Sequence, residues 1–284
     1  MENNINNKES DYMEMIKLSN GIEIPQIGIG VFRTDTGEET FNSVTWALEA
    51  GYRHIDTAMA YNNEESVGEA MLKSGLKREE IFLTTKLWNA DIRKGRSREA
   101  FFESLERLKT DYVDLYLIHW PAEGYVEAYK EMEKLYKEGR IKVIGVSNFK
   151  KHHLDEIYKV CEIKPMVNQI ESNISFTNDE LIDYCKSENI AIEVWSPLGG
   201  TGTTQLSEKV LVDLADKYNK SPAQILIRWH MQRDVIVLPK SINKGRIKEN
   251  IDVFDFELTA DEVASITALN KNKRVGSDPD NFNF

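Results

Sequence analysis

The sequence has 284 residues, of which 41% are hydrophobic and 29% are charged, proportions typical of a globular enzyme with a sizeable core. Its 36 Lys and Arg against 47 Asp and Glu give a formal net charge of −11, so a nucleic-acid partner finds no global attraction. No stretch approaches the roughly 18 uninterrupted apolar residues of a membrane helix. We therefore expect no membrane partner and a soluble, cytoplasmic protein.

The first residues, MENNINNKESDY, are polar and lack the apolar stretch of a signal peptide. We interpret residues 1–13 as a flexible leader and residues 14–284 as a single domain, because α/β barrels commonly occupy roughly 250 residues as one unit. Cys161 and Cys185 form no CxxC or zinc-type spacing, so both are expected to be reduced and structural.

Two apolar segments, 15–18 and 22–24, flank Ser-Asn-Gly, which has the composition of a β-hairpin turn. Eight further apolar runs are predicted to be strands: 26–30, 52–56, 82–86, 112–119, 141–147, 166–171, 191–195 and 235–239. Helical patterns lie between them, at 38–50, 64–72, 98–108, 125–138 and 154–160.

Three later segments carry helix start signals. Thr177 with Glu180 and Thr259 with Glu262 have the spacing of a capping box. Ser221-Pro222 supplies a cap followed by proline at the first helical position, where the missing N–H costs nothing.

Regular alternation of strands and helices predicts parallel strands joined by helical crossovers. Eight such units can close into a (β/α)8 TIM barrel, an α/β fold, here preceded by the β-hairpin. A doubly wound open sheet is the alternative, but no GxGxxG follows the first strand, since Arg33 stands where the third glycine would be. The barrel is therefore the preferred interpretation.

In a barrel of this kind the reactive side chains gather at the carboxyl ends of the strands. The predicted strand ends carry a run of polar or aromatic residues: Asp56, Lys86, His119, Ser147 with Asn148, Gln169, Trp195 and Lys240. Their recurrence on successive units predicts a functional site at this mouth.

From the hairpin to Asn283 the sequence resembles the aldo-keto reductase superfamily, in particular its short-tailed bacterial and protist diketogluconate and glyoxal reductase branch. The matching motifs, in the family's order, are GYRHIDTAMAYNNEESVG, TTKLW, DLYLIHWP, GVSNF, NQIE, WSPLG and LPKSINKGRIKEN. The resemblance implies NADPH-dependent reduction of a carbonyl. It also implies a catalytic tetrad of Asp56, Tyr61, Lys86 and His119.

The chemistry explains these residue types. Hydride arriving at a carbonyl carbon leaves negative charge on the oxygen, so a proton donor must already be aimed there. A free tyrosine, with a pKa of about 10, gives up its proton reluctantly. Lys86 is expected to lower the pKa of Tyr61, Asp56 to keep Lys86 charged, and His119 to orient the carbonyl or share the proton relay.

Other interpretations of these residues remain. Asp56 with Lys86 could be a structural ion pair, and His119 a core histidine. The His54-x-Asp56 pair could bind a metal in a barrel hydrolase, although the other histidines offer no three-ligand set at the mouth, and no metal is expected. The family also includes non-catalytic members, against which the intact tetrad argues.

The segment LPKSINKGRIKEN predicts a phosphate site, because free backbone N–H groups and the helix dipole attract anions at a helix start. Lys240 and Arg246 add positive charge, and the Arg246 guanidinium suits phosphate oxygens. The family implies that this segment binds the adenosine end of NADPH. The implied contacts are Lys240, Ser241, Asn243 and Arg246 at the 2′-phosphate, and Glu249 and Asn250 at the adenine.

The resemblance also assigns the nicotinamide end of the cofactor. Ser147, Asn148 and Gln169 match the residues that hydrogen-bond the carboxamide, and Trp195 the aromatic residue that stacks on the ring. Ser196, Leu198 and Gly199 begin a glycine-rich loop that crosses the pyrophosphate.

The substrate is expected to be a small molecule with a carbonyl group, held by His119 within an apolar wall. Val31, Phe32, Trp88 and Trp120, which follow strands one, three and four, are predicted to form that wall. The short tail RVGSDPDNFNF is expected to leave the mouth open, which suits small aldehydes, dicarbonyls and α-keto compounds. A monomer is expected, because a closed barrel leaves no free edge strand.

Overall fold

The computed structural model describes residues 13–200 and 202–284, and the proposed leader, Met13 apart, lies outside them. The strands are β1 (Met15–Lys17), β2 (Glu23–Pro25), β3 (Ile29–Gly30), β4 (His54–Asp56), β5 (Phe82–Leu87), β6 (Val113–Ile118), β7 (Ile141–Ser147), β8 (Val167–Glu171), β9 (Ala191–Trp195) and β10 (Ile236–Val237).

The helices pack around these strands. They are α1 (Glu38–Glu49), α2 (Glu64–Lys73), α3 (Asn89–Arg93), α4 (Ser97–Leu108), α5 (Tyr125–Lys137), α6 (Lys151–Tyr158), α7 (Asp179–Ser187), α8 (Lys209–Tyr218), α9 (Pro222–Met231), α10 (Lys244–Ile251) and α11 (Ala260–Thr267). Within the residues described, none is long and apolar enough to cross a membrane.

Strands β3 to β10 form one parallel sheet in sequence order. The sheet closes on itself between Ile27 and Val237, which form a parallel bridge, and the Gly28 amide donates to the Val237 carbonyl at 2.9 Å. The predicted (β/α)8 barrel is thus confirmed. Strands β1 and β2 pair antiparallel, so the predicted hairpin before the barrel is confirmed as well.

The barrel strands are buried on both faces. Their sequences are therefore largely continuous apolar runs and do not alternate between apolar and polar residues. Close packing extends to the backbone. A Cβ on Gly145 in β7 would lie 2.6 Å from the carbonyl oxygen of Val167 in β8, so only glycine fits there.

Two of the three predicted helix starts are confirmed. The Ser221 side chain accepts from the Gln224 amide at the start of α9, and Thr259 accepts from the Glu262 amide at the start of α11. The predicted cap at Thr177 is wrong. Asn178, in the left-handed region at φ 58°, precedes α7, and the Thr177 hydroxyl donates to Asp179 instead.

Candidate active site

Successive strand ends bring the four predicted catalytic residues to one mouth of the barrel. Asp56 ends β4, Lys86 lies near the end of β5 and His119 directly follows β6. Tyr61 lies on a short 3₁₀ turn, Met59–Tyr61, that follows β4. The barrel therefore supplies Asp56 and Lys86 from strands, His119 from the residue directly after a strand, and Tyr61 from the connection after β4.

Lys86 is the centre of this group. Its ammonium lies 2.8 Å from both carboxylate oxygens of Asp56 and 2.8 Å from the Thr57 carbonyl oxygen. The Tyr61 hydroxyl oxygen is 3.3 Å from the same nitrogen. The Lys86 side chain has no exposed surface, so its charge is balanced inside the protein.

Burial and charge act in opposite directions on these groups. Burial disfavours the Lys86 ammonium, but Asp56 and Tyr61 outweigh it and raise the pKa of Lys86 above its usual value. Burial raises the pKa of Tyr61 to about 12, although Lys86 acts to lower it. Lys86 thus acts to lower the pKa of Tyr61, as the sequence led us to expect. Burial has the larger effect, however, so the net change in this pKa is upward.

His119 packs between aromatic rings, with its ring centroid 5.6 Å from Tyr61 and 5.1 Å from Trp88. Burial, assisted by the nearby Lys86 charge, holds the pKa of His119 well below its usual value. The imidazole is therefore neutral at physiological pH and retains one N–H that can donate a hydrogen bond.

The residues predicted at the nicotinamide form one hydrogen-bonded group beside the tetrad. The Asn148 side chain donates to the His119 carbonyl oxygen at 3.0 Å and accepts from the Trp195 indole N–H at 2.9 Å. The Ser147 hydroxyl donates to the Gln169 carbonyl oxygen at 2.9 Å. Asn148 takes a left-handed conformation, φ 64°, which asparagine tolerates better than most residues.

The loop predicted at the pyrophosphate follows Trp195. Ser196 has a left-handed backbone, φ 51°, and Leu198 is half-buried. A Cβ on Gly199 would lie 2.6 Å from side-chain atoms of Gln205 and Thr203, so this turn requires glycine.

The predicted phosphate segment follows β10, and Asn243 caps α10 by accepting from the Arg246 amide at 3.0 Å. Lys240, Arg246 and Glu249 are exposed, whereas Ser241 and Asn250 are buried. Within the described part of the chain, neither Lys240 nor Arg246 forms an ion pair, unlike their neighbour Lys244, which lies 3.0 Å from Glu49.

The predicted substrate wall needs one correction. Val31 has no exposed surface and belongs to the hydrophobic core, so it does not line an open pocket. Phe32 is 53% exposed and its ring centroid is 5.0 Å from that of Tyr61. Trp88 is half-buried, and Trp120 is buried.

The chain after α11 packs against the aromatic wall, a contact that the expectation of an open mouth did not include. The Phe284 ring stacks on Trp88 with a centroid distance of 5.9 Å and meets Trp120 edge-on at 5.1 Å. Phe282 packs against Trp120 at 5.2 Å. The aromatic composition of the tail is the one sequence signal that could have indicated this contact.

Polar anchors hold this tail in place, and sequence reasoning missed them. The Glu171 carboxylate at the end of β8 accepts from the Gly276 amide at 3.3 Å. Lys150 lies 2.5 Å from Asp278 and 2.6 Å from Asp280. A Cβ on Gly276 would lie 2.3 Å from the Trp195 ring, so the tail backbone contacts the predicted nicotinamide residue.

One further cluster joins His152 and His153, at the start of α6, to Asp280 in the tail. The His152 and His153 Nε2 atoms lie 2.9 and 3.3 Å from one oxygen of Asp280. However, His153 Nδ1 accepts from the Lys150 backbone N–H, so a neutral His153 carries its proton on Nε2, where a metal would bind. The cluster is better described as a hydrogen-bonded contact between α6 and the tail.

His54 and Asp56, considered above as a metal pair, both contact other side chains. His54 Nε2 lies 3.1 Å from the Thr84 hydroxyl, and Asp56 is committed to Lys86. Sequence reasoning also missed a buried acid, Glu193, which lies inside the barrel beside Gln169.

Comparison with known proteins identifies the family to which this fold and site correspond. The model of the Aldo/keto reductase family matches residues 26–271. A Trypanosoma cruzi protein named 9,11-endoperoxide prostaglandin H2 reductase is 51% identical over 269 residues, 94% of this chain and 95% of the relative. The Bacillus subtilis protein named glyoxal reductase is 50% identical over 272 residues, 95% of this chain and 98% of the relative.

Solved structures agree with these matches. The crystal structure of a Bombyx mori aldo-keto reductase in complex with NADP has a TM-score of 0.88 to this chain at 40% identity, and the match covers 95% of this chain and 97% of that one. Fold, site geometry and sequence similarity lead to the same conclusion: the chain belongs to the aldo/keto reductase family.

Proposed function

We propose that this oxidoreductase reduces aldehydes, dicarbonyls or small ketones to alcohols with NADPH, and that Tyr61 donates the proton. The observation that carries the proposal is the position of the buried Lys86 ammonium, 2.8 Å from Asp56 and 3.3 Å from the Tyr61 hydroxyl. It supports the proposal because Tyr61, acting as the donor, would have a positive charge beside it at the barrel mouth, where negative charge develops on a carbonyl oxygen during reduction.

The raised pKa of Tyr61, about 12, is compatible with this role. The oxygen that receives the proton becomes an alkoxide, whose conjugate acid has a pKa near that of water and well above the pKa of Tyr61. Proton transfer from Tyr61 to this oxygen is therefore favourable, while the hydroxyl stays protonated at neutral pH. Neutral His119 can donate a hydrogen bond to the same oxygen and orient the carbonyl.

The residues of this chain fit NADPH at both ends. Lys240 and Arg246 are exposed cations at the start of a capped helix, which suits the 2′-phosphate, with Ser241 and Asn243 as further polar contacts and Glu249 and Asn250 at the adenine. Ser147, Asn148 and Gln169 would hold the carboxamide beside the Trp195 ring, with Ser196, Leu198 and Gly199 along the pyrophosphate. The cofactor supplies the hydride, and the protein supplies orientation and the proton.

A small substrate suits the aromatic wall formed by Phe32, Trp88 and Trp120, because the tail narrows the mouth through Phe284. Such a site accommodates compact carbonyl compounds with few polar contacts. The name of the Bacillus subtilis relative, glyoxal reductase, supports dicarbonyls as the first compounds to test.

The test is NADPH oxidation with a panel of carbonyls, measured for the unmodified protein and for Tyr61→Phe. The substitution removes the proton donor and leaves the ring, so turnover should fall at least about a hundredfold, while NADPH affinity, measured by fluorescence titration, stays nearly intact. Tyr52→Phe is the matched control, because the buried Tyr52 hydroxyl bonds the Ile247 carbonyl oxygen away from the tetrad. Retained turnover in Tyr61→Phe would exclude the proposed role.

We also propose that the protein is a monomer, because the closed barrel sheet leaves no unpaired edge among β3 to β10. Sedimentation velocity at micromolar concentration tests this point. A stable dimer would contradict it without affecting the proposed chemistry.

A further inference from the structure

A buried acid lies on the interior side of the proposed catalytic residues. Glu193, in the middle of β9, has no exposed surface and is paired in register with Gln169 on β8. The Gln169 side-chain nitrogen lies 2.8 Å from the Glu193 carboxyl and 2.8 Å from Asp56 Oδ2. One amide nitrogen thus bridges the acid inside the barrel to the carboxylate that holds Lys86.

The bridge uses both N–H groups of the Gln169 amide, one for each carboxyl group. Because both neighbours are acceptors at short distance, the hydrogen bonds fix which end of the amide is nitrogen. The amide therefore donates to the same oxygen, Asp56 Oδ2, that accepts from Lys86, and its own orientation depends on Glu193.

The two carboxyl groups differ in their charged neighbours. Asp56 has the Lys86 ammonium in direct contact, whereas the one basic side chain within 4.0 Å of Glu193 in the described residues is His54, at 3.5 Å. Burial lowers the pKa of His54 to about 3, so His54 offers no positive charge. Strand β10, the other neighbour of β9, pairs with it through the apolar Ile236 and Val237.

A buried carboxylate without a cation is costly, and a second negative charge near Asp56 adds repulsion. Burial and Asp56 together raise the pKa of Glu193 to about 8, against the opposing effects of Gln169 and Lys86. At neutral pH we therefore expect this group to be a carboxylic acid. It becomes an anion in the alkaline range, where it would add negative charge beside the pair of Lys86 and Tyr61.

We propose that Glu193 is a positioning residue for the tetrad: through the Gln169 amide, its uncharged carboxyl group holds Asp56 against Lys86. Ionisation of Glu193 at alkaline pH places a second negative charge in this network and makes the Tyr61 phenolate harder to form. The inference rests on the proposed role of the tetrad and goes beyond it, because it assigns a role to a residue that does not contact the reacting atoms.

Two substitutions separate positioning from charge. Glu193→Ala removes the acceptor for the Gln169 N–H, so turnover in carbonyl reduction should fall about tenfold. Glu193→Gln keeps an acceptor oxygen and should recover most of this turnover at neutral pH. In alcohol oxidation Tyr61 must lose its proton. The alkaline midpoint of the rate-against-pH curve should therefore lie about half a pH unit to one pH unit lower for Glu193→Gln than for the unmodified protein.

The matched control is Glu64→Gln. Glu64 is also a buried acid, but it bonds Thr85 and Arg107 rather than the tetrad. Its substitution should reduce thermal stability and leave the pH profile of oxidation unchanged. An infrared spectrum of the unmodified protein at neutral pH should show the carbonyl stretch of a protonated acid, and Glu193→Gln should lose it.

Two results would overturn the inference. One is a pH profile of Glu193→Gln that superimposes on that of the unmodified protein. The other is the absence of the protonated-acid band at neutral pH. Failure of the proposed function is a distinct result, since it would appear as wild-type behaviour of Tyr61→Phe, while the infrared measurement needs no turnover.

Discussion

The tetrad and the start of α10 both depend on basic side chains, but the two regions treat them differently. The ammonium of Lys86 is fully buried and contacts Asp56, Thr57 and Tyr61. Lys240 and Arg246 are exposed and have no acidic partner in the described residues. The charge of the tetrad is satisfied within the protein before any ligand arrives, whereas the charge at α10 remains available to a ligand.

This difference separates two uses of positive charge. In the proposed tetrad the partners fix the geometry of Lys86, so that no reorganisation would be needed when charge develops on a substrate. At α10 a bound phosphate would supply the missing partner of Lys240 and Arg246, and salt would screen this attraction. Substitutions in the tetrad should therefore lower mainly turnover, whereas substitutions at α10 should lower mainly the affinity for the cofactor.

The largest effect is expected for Lys86→Met. Turnover should fall at least about a hundredfold, because Tyr61 loses the charge that favours its phenolate. Removing one partner of a buried ion pair should also lower the free energy of unfolding by about 3–5 kcal/mol, since Asp56 is left uncompensated. Steady-state kinetics and urea denaturation measure the two effects.

The double variant Asp56→Asn with Lys86→Met separates the effect on turnover from the effect on stability. Its stability should partly recover because no buried charge is left unpaired, while its turnover stays low. Turnover at the level of the unmodified protein in either variant would contradict the assigned role of Lys86.

Arg246→Ala should have the next largest effect. The dissociation constant for NADPH should rise about ten- to hundredfold, because a charge-assisted contact to the 2′-phosphate is lost, while that for NADH should hardly change. Lys244→Ala is the control, since the Lys244 ammonium already pairs with Glu49. Titrations of both cofactors at one ionic strength measure the difference, and equal losses for the two cofactors would show that Arg246 does not contact the phosphate.

A smaller effect that does not distinguish the cofactors is expected for Gly276→Ala. The new Cβ would lie 2.3 Å from the Trp195 ring, which must shift and strain its hydrogen bond to Asn148. Affinity for NADPH and NADH should fall by the same factor, about five- to tenfold. Ser277→Ala, on the adjacent exposed residue, should change neither affinity. A loss confined to NADPH would place the contact elsewhere on the cofactor.

The smallest effect is expected for Phe284→Ala. Its ring packs on Trp88 and Trp120, and loss of such contacts should raise the KM for small dicarbonyls about two- to tenfold without lowering turnover of bulkier aldehydes. Leu72→Ala, an exposed apolar residue on α2, serves as the control. An unchanged KM for every aldehyde tested would show that the tail does not shape the substrate site.

The barrel could be predicted from the sequence because each strand is a local apolar run and the strands pair in chain order. The central strands match closely: the predicted 141–147 and 191–195 are β7 and β9 as observed. The first and last barrel strands are shorter than predicted, with two residues each in β3 and β10, because they meet at the closure of the sheet.

The tail contacts and the bridge through Gln169 could not be predicted in the same way. Phe284 contacts Trp88, although the two residues are far apart in the sequence, and no local sequence pattern indicates such a pair. Glu193 gave a weaker signal, an acid inside the otherwise apolar run of β9. The inclusion of Val31 in the substrate wall was wrong because a position after a strand does not determine whether a side chain turns inward or outward.

The closure of the barrel has a consequence for how the protein opens. At the seam, β3 and β10 are held by few backbone hydrogen bonds, among them those from the Gly28 amide to Val237 and from the Gly30 amide to Pro239. Local unfolding begins where such bonds are sparse, so the seam is where exchange of amide protons with solvent should be fastest within the sheet. Lys240 directly follows Pro239, so a phosphate bound at Lys240 would also stabilise the closure between β3 and β10. The coenzyme would then slow local opening of the barrel in addition to taking part in the reaction.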